Sequence, residues 1–117
     1  MITKVKQLKE YQSRIKKWVE YMKTCKNNER FEQNPFHHII LEIKYMKEDV
    51  DIKQFPYDLL FFPLIHLYTS LTVLEYYPDS LHHTEEIERI YFELEELLAN
   101  INIYIDYYLY IAKKSKA

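Results

Sequence analysis

TEEIERIYFELEELLANINIYIDYYLYIA, residues 84–112, is the stretch that decides the fold. Ile87, Ile90, Leu94, Leu97, Ile101, Tyr104, Tyr108 and Ile111 recur at alternating spacings of three and four, as on a helix face packed against neighbours. At 1.5 Å per residue such a helix would span roughly 40 Å. Glu85, Glu86 and Glu88 suit the positive end of its dipole, and Lys113, Lys114 and Lys116 suit the negative end. A long last helix, starting between Ser80 and Thr84, is predicted.

The same spacing appears twice more upstream. Leu8, Tyr11, Ile15, Trp18, Met22 and Cys25 mark a first helix from about Thr3 to Cys25, which Asn27 and Asn28 end. Phe36, Ile39, Ile43, Met46 and Val50 mark a second, opened by Asn34 as cap and Pro35 at the first helical position. Gln54-Phe55-Pro56 breaks the chain, because the residue before a proline avoids the helical region. Leu64 to Tyr77 form a third, apolar helix, and Pro63 either starts it or kinks one begun near Pro56. Residues 59–77 approach the length of a membrane span, but Pro63, His66, Thr69, Ser70, Thr72 and Glu75 favour a central helix buried on most sides.

Glycine is absent from all 117 residues, where average usage of roughly 7% would supply about eight. Without its positive φ, tight β-hairpins and phosphate-cradling loops are hard to build. The fold expected is therefore all-α: an antiparallel four-helix bundle, up-down-up-down, with a proline break or kink near the start of the third helix. Residues 1–117 read as a single domain with one core.

Net charge is −2, so no global field draws the chain to nucleic acid or anionic membrane. The N-terminus, Met1-Ile2-Thr3-Lys4-Val5-Lys6, lacks the apolar run of a signal peptide, and the single Cys25 fits a reducing compartment. A cytoplasmic location is expected. Charge is nevertheless uneven: residues 1–30 carry nine Lys/Arg against three Glu, and residues 31–99 carry fourteen acids against four bases. Two helices of opposite sign lying side by side would account for this, with Lys16, Lys17, Lys23 and Lys26 turned toward the acidic start of the last helix. The alternative is a nucleic-acid-binding module using Lys9, Lys16 and Lys23.

Catalytic signatures are scarce. Carboxylate-bridged metal bundles use Glu-x-x-His, and of the five histidines only His82 has a carboxylate three residues before it, Asp79, in a turn. His37-His38 and His82-His83 are adjacent and diverge by about 100° on a helix. No metal site, cofactor or catalytic set is expected, a metal-dependent helical bundle being a further alternative, and Cys25 falls on a packed seam where a thiol is inert. Arg30 and His37 have a spacing similar to the Arg-x₄₋₆-His of the helical RNases called HEPN domains, but it crosses Asn34-Pro35 and lies early in the chain rather than late. The overall architecture resembles that of small bacteriocin immunity proteins, which would imply an immunity or inhibitor role; no motif is shared.

Twelve tyrosines remain. On the last helix Phe92, Ala99, Ile103, Tyr107 and Tyr110 fall opposite the seam, where a helix packed on one side should carry charge. Binding surfaces use apolar, tyrosine-rich stripes of this kind. Cover by residues 51–62 would be the internal alternative. The expectation is a non-enzymatic protein that binds a partner protein or a second copy of itself through Phe92, Ile103, Tyr107 and Tyr110.

Overall fold

The computed structural model describes residues 2–27, 37–49, 55, 59–76 and 83–115. They form an all-α four-helix bundle of α1 (Ile2–Asn27), α2 (His37–Asp49), α3 (Phe61–Tyr76) and α4 (His83–Ser115). No strand occurs among the described residues.

The seams meet in one core. Leu8, Tyr11, Ile15, Trp18 and Met22 from α1 are buried with Ile39, Ile43 and Met46 from α2, Leu64, Leu67 and Leu71 from α3, and Ile87 to Ile101 of the α4 seam. Trp18 and Tyr11 are the largest fully buried side chains, and both reach across to α2 with their polar ends. The Trp18 indole N–H donates to Glu42, and the Tyr11 hydroxyl donates to Asp49 Oδ2 at 3.2 Å. Burial first, then the nearby Asp49 charge, raises the Tyr11 pKa above the ordinary phenol value, although Gln7 donating to the same oxygen works the other way.

Contacts between helices give their directions. Tyr11–Asp49, Trp18–Glu42 and Tyr21–His38 join α1 to α2 with residue numbers rising on one as they fall on the other, so the two run antiparallel. Lys47 over the Tyr68 ring and His37 beside Glu75 show the same for α2 and α3. His66–Glu93 and Ser70–Arg89 do so for α3 and α4. Gln12–Asn102 and Lys4 over the Tyr108 ring set α1 antiparallel to α4.

Pro63 is the third residue of α3, inside the first turn, where a missing N–H breaks no intrahelical bond. The first such bond closes one residue later, from the Leu64 N–H to the Leu60 carbonyl at 2.9 Å. Thr69 and Thr72 return their hydroxyls to the carbonyls of Ile65 and Tyr68, which satisfies polar groups on an otherwise apolar helix.

Three expectations need correction. α3 is not buried on most sides: Phe62, His66, Thr69 and Val73 form an exposed stripe along its outer face. Its uniform hydropathy conceals that stripe, because no run of charge marks the wet side. On α4 the seam departs from the expected spacing at one place, where Ile105 is buried and Tyr104 only half-buried, while Tyr108 keeps its expected place. A strict 3.5-residue repeat describes a helix wrapped by neighbours, whereas an unwrapped helix keeps its 3.6-residue period and drifts. Lys16, Lys17 and Lys23 are exposed and form no ion pair with the acidic start of α4 among the described residues. The side chains of Cys25 and Lys26, and residues 28–36 with Arg30, lie outside the described residues.

The bundle is long and thin, 57 × 24 × 18 Å. α4, with 33 residues and roughly 50 Å of rise, runs nearly its whole length.

Candidate interaction surface on the last helix

α4 has two differently dressed halves. In the first, α1 covers one flank and α3 the other. Arg89 ties the α3 side together: its guanidinium pairs with Glu86 and Glu93 on its own helix, and Glu93 also meets His66 Nδ1 of α3 at 3.0 Å. These carboxylates, Glu86 first, raise the Arg89 pKa. Register then limits α3. Continuing from His66–Glu93 and Ser70–Arg89, its first residue, Phe61, comes level with Leu98.

Beyond that level α4 has α1 on one side and Phe55 against Tyr108, ring centroids 6.4 Å apart. Tyr108 is buried, with Phe55 and the Lys4 ammonium both against it, and its hydroxyl pKa is raised by burial and then by Tyr104 and Tyr107. Phe55 thus serves the inner face. The outer face stays open: Phe92 is 62%, Ile103 63%, Tyr107 54% and Tyr110 57% exposed. Ala99 and Leu109 are exposed as well. All four residues read from the sequence therefore lie on the surface, and Ile103, Tyr107 and Tyr110 stand within two turns of one another.

Beside this stripe lies a groove of about 370 Å³ between α3 and α4, with Leu67 and Leu97 at its floor and Phe62, His66, Glu96 and Asn100 around it. Phe62 is exposed at its edge, which brings a residue of α3 to the border of the α4 stripe. Sequence reading missed Phe62, since it belongs to the unbroken apolar run Leu59-Leu60-Phe61-Phe62 in which no single residue is singled out. The flanks of the stripe are charged by position. Glu96 lies on the near side, exposed and without an ion pair among the described residues; Lys113 and Lys114 lie at the far end, the latter over the Tyr110 ring at 5.1 Å.

The remaining candidates are dispersed. His37 is exposed and pairs with Glu75 at 3.1 Å, His38 meets the edge of Tyr21, and Asp79 and His82 lie outside the described residues. Among the described residues no three His, Cys, Asp or Glu side chains stand close enough to hold a metal ion, and no helix is long and apolar enough to cross a membrane. Lys9, Lys16 and Lys23 form an exposed row along α1 at seven-residue spacing.

Fold and surface together define an all-α four-helix bundle with an apolar, tyrosine-bearing outer face on its last helix. Comparison with known proteins takes this no further: no family model, no curated protein and no solved structure matches the chain.

Proposed function

We propose that this protein is a non-enzymatic binding protein, an adaptor, inhibitor or regulator, and that it engages a protein partner through the outer face of the second half of α4. The observation that carries the reading is the exposure of Phe92, Ile103, Tyr107 and Tyr110 on one helix face that no described residue of the 51–62 segment covers. Tyrosine offers large, stiff, amphipathic contact area, which is why it concentrates at the anchors of interfaces. Solvation alone gives no reason to place these side chains there, since water favours the charges that occupy the outer face at Glu85 and Arg89.

The test is the double variant Tyr107→Glu with Tyr110→Glu. Its circular dichroism should keep the helical signal of the wild type while association, followed by sedimentation, is lost. A double variant that unfolds would mean that the face is core and the reading wrong.

A second reading has its own observation. The row Lys9, Lys16 and Lys23 is exposed and unpaired among the described residues, which suits a polyanion such as nucleic acid. It requires affinity that falls steeply with salt and weakens when the three charges are reversed. Absence of binding to single- or double-stranded nucleic acid at low salt rules it out.

A further inference from the structure

We infer that the partner seated on the α4 stripe is a second copy of this chain, docked antiparallel across the second half of α4; this rests on the reading of that face as an interaction surface. A symmetric dimer brings one patch against itself, so the patch must be complementary to its own rotated image. Charge along α4 meets that condition in one direction only. Glu85, Glu88 and Glu96 lie toward the start and Lys113 and Lys114 at the end. A parallel copy would set acid against acid and lysine against lysine. An antiparallel copy brings the Lys113 and Lys114 end of each helix toward Glu96 of the other, and it opposes the two helix dipoles favourably.

The groove beside the stripe fits the same arrangement. Leu67, Leu97 and Glu96 line it together, and the exposed Phe62 belongs to the same lining. A lysine from the second copy could lay its aliphatic stem on the floor and present its ammonium to Glu96.

Area is consistent with a modest dimer. Phe62, Ile103, Tyr107 and Tyr110, each a little over half exposed, offer roughly 450 Å² at about 200 Å² per large side chain. The polar side chains between them bring the face toward the roughly 800 Å² per partner of standard interfaces.

The experiment pairs two measurements on the full chain. A photo-crosslinking amino acid at position 103 is activated in cells, and the mass of the purified protein is followed by light scattering over a wide concentration range. The expected results are an adduct of twice the chain mass and a concentration-dependent dimer. Glu96→Lys should weaken that dimer about tenfold, since the contact is made twice, as should Lys113→Glu with Lys114→Glu; combining all three should restore it. A dimer indifferent to these exchanges overturns the antiparallel arrangement. A monomer whose adducts all have other masses overturns the second copy and leaves the face as an interaction surface. A monomer with no adduct overturns both.

Discussion

The two halves of α4 use the same residue types to different ends. From Ile87 to Leu97 its isoleucines and leucines are locked between α1 and α3, and its outer face carries the Arg89, Glu86 and Glu93 pairs beside a single exposed aromatic, Phe92. From Ala99 onward the inner face still packs, through Ile101, Ile105 and Tyr108, but the outer face carries Ile103, Tyr107 and Tyr110 in water. The lesson is that apolar residues on a helix report burial only when the neighbours that would bury them are counted. Here α3 ends its reach near Leu98, and the outer face is exposed both alongside it, at Phe92, and beyond it, at Ile103, Tyr107 and Tyr110.

The sharpest way to break this comparison is truncation within each half. Leu94→Ala, at a fully buried position, should lower stability by about 2–5 kcal/mol in urea unfolding, whereas Ile103→Ala should change it by less than about 0.5 kcal/mol. Equal losses would mean that the second half is as enclosed as the first. Trp18→Phe comes next. It keeps most of the apolar contact but leaves Glu42 without its indole donor, and a loss of about 1–3 kcal/mol is expected, with Glu42→Ala less costly because Glu42 is itself exposed.

Alkaline titration separates the enclosed tyrosines from the open ones. Tyr11 and Tyr108 have raised pKa values in the fold, so the fold prefers their protonated forms. Their contribution is complete below the unfolded phenol value near 10 and is lost as pH rises through the higher folded values. Stability should therefore fall above pH about 10, and Tyr11→Phe with Tyr108→Phe should flatten that fall. An unchanged alkaline limb would place both hydroxyls in water. The smallest effect belongs to the surface cluster: Arg89→Gln should cost no more than about 1 kcal/mol, read as a small shift in the unfolding midpoint.

Much of this fold is legible in the chain. The three-four spacings, with no glycine to favour hairpins, point to four helices, and the α4 stripe follows from helical periodicity counted along the chain from Ile87. The missing information is tertiary. The burial of Ile105 in place of Tyr104 depends on where α3 stops alongside α4, which depends on chain direction and on Pro63. The Tyr11–Asp49 and Trp18–Glu42 bonds join residues far apart in sequence, and no periodicity marks them. Lys16, Lys17 and Lys23 stand in water, where lysine gains more from hydration than from a surface ion pair. Within the candidate surface, Phe92, Ile103, Tyr107 and Tyr110 were readable; Phe62 became visible only when α3 was set beside α4.

The 57 Å length against a girth of 24 × 18 Å has a hydrodynamic consequence. A rod meets more friction than a sphere of equal mass, so a single copy should diffuse and elute like a heavier particle. Its rotation should also be unequal, fast about the axis of α4 and slow end over end. A second copy laid antiparallel on the far half of that helix would overlap only part of each rod. The pair would be longer than either copy, and its end-over-end tumbling would slow more than its doubled mass alone requires.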